Sequence, residues 1–134
     1  MKYLVLTGRI FFSLIFLMTV MGHFNKGTIE YASMQGVPAA SILVPLSAII
    51  AFVGGLCIAL GFKAKSGAWL IVIFLVPVTF CMHAFWKETE TMQMHMQMSN
   101  FMKNIALIGA AFLISYFGAG PLSIDERRNT QTNF

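Results

Sequence analysis

The chain has 134 residues, 57% of them hydrophobic and 10% charged, with a formal net charge of +4. A soluble domain carries roughly 25% charged residues, and a small one leaves about 40% of its unfolded surface exposed, so this composition excludes a water-soluble globule. The cations form no basic helix and no aromatic platform accompanies them, which argues against nucleic acid as a partner.

Crossing the hydrocarbon core takes about 20 apolar residues as a helix, and four stretches of that length follow one another, each bounded by charge, Gly or Pro. The first runs from Leu4 to Gly22. It begins like a secretory signal after Lys2, but Arg9 interrupts it and no Ala-x-Ala-like site precedes His23, so it is expected to stay as a helix. After a polar segment from His23 to Ala40, the second span runs from Ser41 to Phe62, with Pro45 in its first turn and Ala51, Gly54, Gly55 and Ala59 available for close helix packing. A short turn at Lys63-Ala64-Lys65 makes a helical hairpin with the third span, Gly67 to Trp86, which Pro77 should kink. An external segment, Lys87 to Gln97, leads to the fourth span, Met98 to Phe117, closed by Gly118-Ala119-Gly120-Pro121. Barrel strands would need an apolar/polar alternation that these stretches lack.

The expected fold is therefore all-α: an integral membrane four-helix bundle forming a single domain over residues 1–126, with a short polar C-terminal tail over 127–134. Four spans put both termini and the middle turn on one side. Lys2, Lys63, Lys65, Arg127 and Arg128 lie there, against Lys26, Lys87 and Lys103 on the other, so the positive-inside rule puts both termini in the cytoplasm.

Cys57 and Cys81 are the two cysteines. Measured from the middle turn they lie about 9 and about 24 Å along their helices, too far apart for a bond that needs Cα atoms within about 7 Å. They read as apolar packing residues.

Arg9 sits about 10 Å along the first span, and no carboxylate lies inside any span. A buried arginine needs compensation, so it must reach a lipid phosphate, a carbonyl, water, a loop acid such as Glu30, or a ligand. A second polar group gathers where the helices reach the other face. It comprises His23, Asn25 and Lys26 after the first span, His83 and Trp86 in the third, and Asn100, Lys103 and Asn104 in the fourth. The last three share one helical face. Facing the bundle, they would meet His83, whose imidazole can exchange protons. Donors without an acid suit an oxygen-rich ligand, and quinone carbonyls fit. The plainer reading makes each an interfacial residue wetted by headgroups.

Met94, His95, Met96 and Met98 fall in a methionine-rich run that is a weak candidate for Cu(I), since thioethers and imidazole suit a soft cation. Covering apolar surface is the commoner use of methionine, and no metal site is assigned. The chain has no P-loop, G-x-G-x-x-G, H-E-x-x-H or G-x-S-x-G.

Gly8-Arg9-Ile10, Gly22 with Lys26, Gly36-Val37-Pro38, Gly54-Gly55 through Gly61-Phe62, His83-Ala84-Phe85-Trp86, Phe101 to Asn104 and Gly118 to Leu122 together resemble the DoxX family over nearly the whole chain. The resemblance implies a bacterial inner-membrane four-helix protein, multi-pass. Its relatives include the small subunit of thiosulfate:quinone oxidoreductase, members of membrane oxidoreductase and thiol-stress complexes, and a distant eukaryotic surfeit-locus cargo receptor. It also implies that Arg9, Lys26, His83, Trp86, Lys103 and Asn104 match recurrent polar positions. The methionine-rich approach to the fourth span departs from that pattern.

Two functional readings follow. In the first, the chain is a redox-associated subunit, an oxidoreductase component of the thiosulfate:quinone type if it is an enzyme. It would bind quinone near the outer leaflet, with His83 exchanging protons and Arg9, Lys26, Trp86, Asn100, Lys103 and Asn104 holding the ligand. In the second it is a non-catalytic adaptor in the bilayer. Its external loops would assemble with a second membrane or periplasmic protein, or with further copies of itself.

Overall fold

A computed structural model describes residues 1–131. Its elements are α1 (Lys2–His23), α2 (Lys26–Met34), α3 (Ala40–Leu60), α4 (Ala64–Met82), a 3-10 turn (Phe85–Lys87), α5 (Thr91–Phe117) and α6 (Ile124–Gln131). The described residues contain no strand. Four helices, α1, α3, α4 with the turn that follows it, and α5, are long and apolar enough to cross a membrane. Leu4, Phe11, Met18, Ile42, Ile73 and Leu113 stand exposed around them, an apolar belt that only hydrocarbon can solvate.

Lipid tails are as apolar as Leu, so helices in a bilayer associate through close packing. The adjacent Gly54 and Gly55 of α3 serve two different interfaces. A Cβ on Gly54 would collide with the Gly67 carbonyl of α4, and one on Gly55 would press against Phe16 of α1. In this way α1 packs on α3, α3 on α4, and α4 on α5. Phe16, Ile58, Ile71, Phe74, Leu75 and Ile108 fill the space between them. Between α1 and α5 no comparable interface forms. Gly109 of α5 faces open space.

The α3–α4 turn is fixed by backbone geometry. Gly61 adopts φ +65° and closes α3 with a hydrogen bond from Phe62 N to Cys57 O at 2.9 Å, the Schellman arrangement that favours glycine because a side chain at positive φ is strained. A Cβ there would also strike Ser123.

Four elements differ from the sequence-based expectation. The segment after His23 contains α2, capped by the Asn25 side chain on Gly27 N and docked through Ala32 on Ala40 and Val44. α5 begins at Thr91, so the methionine run forms its first two turns where an external loop was expected. The boundary expected after residue 126 falls inside α6, while residues 132–134 of the expected tail lie outside the described residues. Pro45 is the sixth residue of α3, not in its first turn, so its missing N–H leaves the Ser41 carbonyl without a helical donor.

Candidate functional site

At the end of the bundle that carries both termini, Arg9 is 4% exposed. Its guanidinium donates to the carbonyls of Ala119 at 2.6 Å, Leu122 at 2.9 Å and Pro121 at 3.3 Å. Of the partners open to Arg9 from sequence, carbonyls are the ones it finds. They become available because Gly118 and Gly120, both at positive φ, and Leu122 at φ 57° bend the chain after α5 back beneath α1. Arg9 thereby links α1 to the end of α5, the pair without extended packing.

The same segment grips the α3–α4 turn. Asp125 N donates to Gly61 O at 2.8 Å, and the Asp125 carboxylate accepts from Lys63 N at 2.8 Å and Ala64 N at 3.0 Å. An acid from elsewhere in the chain thus caps α4, whose own N-cap supplies no side-chain bond. Ser123 and Glu126 form a capping pair that starts α6. Ser123 Oγ accepts from Glu126 N at 3.1 Å, and Glu126 Oε2 accepts from Leu122 N at 2.8 Å. The signal was present in sequence as Ser123-Ile124-Asp125-Glu126, the capping pattern, and was missed because no apolar run follows it. Arg9 Nε and Ser13 Oγ, one helical turn apart, are buried with no hydrogen-bond partner.

At the distal end the expected ligand residues separate. His83 Nδ1 lies 2.8 Å from Gln97 Oε1, and Gln97 Nε2 donates to the Tyr31 hydroxyl at 3.1 Å. This network joins the end of α4, the start of α5 and the cap helix α2. Gln97 and Tyr31 were not singled out from sequence, where nothing marked a glutamine in a methionine run. Trp86 packs edge-on against Phe85 and Phe101 in an aromatic cluster that extends to Phe80. Lys103 is exposed, with Nζ 3.3 Å from Asn100 Oδ1. Lys26, at the first turn of α2, is exposed. Asn104 alone turns inward, 5% exposed, one turn from the core residue Ile108. The shared helical face of Asn100, Lys103 and Asn104 is therefore divided between solvent side and core.

Among the cavities formed by the described residues, two flank the bundle. One, of about 270 Å³, is an apolar hollow between α2, α3 and α4, lined by Val44, Phe74, Pro77 and Met82 with His23 and Thr28 among its polar residues. The other, about 1130 Å³, is an open cleft with charged residues in its lining, beside the Arg9 end. Neither is lined by His83, Trp86, Lys103 or Asn104.

Met92, Met94, Met96 and Met98 are all exposed. Residues two apart on a helix point about 200° apart, so Met92 and Met96 take one side of α5 and Met94 and Met98 the other. His95 is exposed, and no group of three His, Cys, Asp or Glu side chains converges among the described residues. Cys57 and Cys81 are free.

Comparison with known proteins corrects the resemblance drawn from sequence. The family model that matches, over residues 1–131, is that of the SURF4 family and not DoxX. The motifs read as DoxX, Gly8-Arg9 and Gly118 to Leu122 among them, mark the helix-one arginine and the bent chain after the fourth spanning helix. Among curated proteins the chain is 31% identical to inner membrane protein YqjF of Escherichia coli, over 93% of this chain and 92% of the relative. It is 28% identical to inner membrane protein YphA of the same organism, over 92% and 89%. It is also 25% identical to ER-derived vesicles protein ERV29 of Saccharomyces cerevisiae, over 94% of this chain but 34% of that protein. No solved structure matches. The redox expectation had rested on the clustered polar residues and on the DoxX relatives and loses the second support, whereas the multi-pass inner-membrane location stands.

Proposed function

The chain belongs to the SURF4 family, and from that premise we propose that it is a non-catalytic inner-membrane adaptor that engages a partner protein through its distal end. The observation that carries this reading is the exposed Met92 and Met96 on one side of the first two turns of α5. With 27 residues, α5 is about 40 Å long against a hydrocarbon core of about 30 Å, so roughly its first two turns project beyond the bilayer. Met92 and Met96, both exposed and on the same side of those turns, make a polarizable, adaptable surface of the kind used for binding varied partners. The His83–Gln97–Tyr31 network braces that surface against α2 and α4. With both termini in the cytoplasm, as the distribution of basic residues favours, the surface faces outward from the cell.

The dispersal of His83, Trp86, Lys103 and Asn104 into separate contacts also favours an adaptor over a quinone site. Extraction of the intact chain from native membranes in mild detergent tests the reading. An adaptor copurifies with a partner at near-equal stoichiometry and carries no quinone. Recovery alone with bound quinone overturns the proposal.

A further inference from the structure

The open cleft at the Arg9 end contains both signs of charge. Lys63 and Lys65, at the start of α4, line one part, and Asp125 and Glu126 of α6 line another. Among the described residues neither lysine makes an ion pair, and Lys63 Nζ rests 5.9 Å from the centroid of the Phe62 ring. The two acids are not equivalent. Both Asp125 oxygens are occupied by backbone N–H groups, whereas Glu126 uses only Oε2. One carboxylate oxygen of Glu126 therefore remains free in a cleft that two ammonium groups without a carboxylate partner also line.

We propose that this cleft binds the headgroup of a zwitterionic phospholipid bearing a primary ammonium, its phosphate at Lys63 and Lys65 and its ammonium at Glu126. The cleft lies where α4 begins and α5 ends, the level at which phospholipid phosphates sit. Phe117, 74% exposed, adds an apolar wall on which the first methylenes of an acyl chain can lie. Charge complementarity selects the headgroup. An anionic glycerol headgroup satisfies the lysines but leaves Glu126 facing net negative charge. A quaternary ammonium neutralises charge yet has no N–H to donate to the free carboxylate oxygen. A primary ammonium does both. The proposal rests on the cleft alone and is independent of the adaptor reading.

The test is lipid retention by the purified full chain, read by native mass spectrometry with phosphatidylethanolamine, phosphatidylglycerol and phosphatidylcholine of identical chains. Phosphatidylethanolamine is expected to be retained about fivefold over the other two, the ratio expected from one exposed ion pair. Lys63→Gln with Lys65→Gln, whose side chains hold no part of the fold together, is expected to lower retention of all three lipids, since each carries the phosphate that the lysines bind. Glu126→Gln is expected to shift preference to phosphatidylglycerol. Because that variant also loosens the start of α6, Lys65→Glu serves as a second reading and is expected to lower retention of all three lipids, with phosphatidylglycerol, the net anion, falling most. Equal retention of the three lipids by the unaltered chain, or unchanged retention in the double variant, overturns the proposal. So does displacement of the lipid by soluble phosphoethanolamine at equal concentration, which would identify a free phosphate monoester as the ligand.

Discussion

Arg9 donates to the Ala119 carbonyl at 2.6 Å, holding two residues 110 positions apart. This bond and its neighbours to Pro121 and Leu122 take the place of packing between α1 and α5. Arg9→Met keeps the volume of the stem but leaves three carbonyls without that donor. Hydrogen bonds from charged groups are worth about 1.5–3 kcal/mol, and allowing for partial rescue by water the variant should lose roughly 2–4 kcal/mol. Amide hydrogen exchange is the check: residues 118–131 should exchange faster, while α3 and α4 keep their protection.

Asp125 caps a helix from which it is distant in sequence. Asp125→Ala should destabilise the chain by about 1–2 kcal/mol, since it frees Lys63 N and Ala64 N together. Asp125→Asn, which retains one acceptor oxygen, should cost about half as much. Denaturant titration in detergent separates the two, with protease cleavage near Lys63 rising in the same order.

Ser13 makes a prediction of opposite sign. Its hydroxyl is buried beside α3 without a partner, and an unsatisfied buried hydroxyl costs about 1–3 kcal/mol. Ser13→Ala should therefore raise the thermal midpoint. A lowered midpoint would mean that a bound water satisfies Ser13 and Arg9 Nε together.

Gln97 holds His83 and Tyr31 at once. Gln97→Leu should release α2 from the distal end, seen as faster proteolysis between residues 23 and 40 with the spanning helices intact. Tyr31→Phe, which removes only one link, should have a smaller effect. A roughly 1 kcal/mol loss per broken neutral hydrogen bond sets the scale.

How much of this was legible follows from the physics of each element. The four long helices were readable because lipid enforces both length and apolarity, so Leu4 to Gly22 and Ser41 to Phe62 stand out in any window. The inward position of Arg9 was legible as a problem, since a span with an arginine and no acid demands a partner. Its answer was not, because backbone carbonyls leave no mark in side-chain composition. α2 and α6 were hidden for a related reason: each is held by capping and by contacts with distant turns, at Asn25 and at Ser123 to Glu126, rather than by a long apolar face. That His83 contacts Gln97 and Lys103 contacts Asn100 was likewise beyond sequence. Helical spacing fixes which residues share a face, but not which neighbour that face meets.

The most direct test of the adaptor account is site-specific photocrosslinking in native membranes, with the reactive group placed at Met92, at Met96 or, as a control, at Phe117. The account predicts one discrete protein adduct from Met92 and Met96, lost in Gln97→Leu, and none of that size from Phe117. Adducts to lipid alone from the methionine positions, with the chain extracted free of any partner, would contradict it.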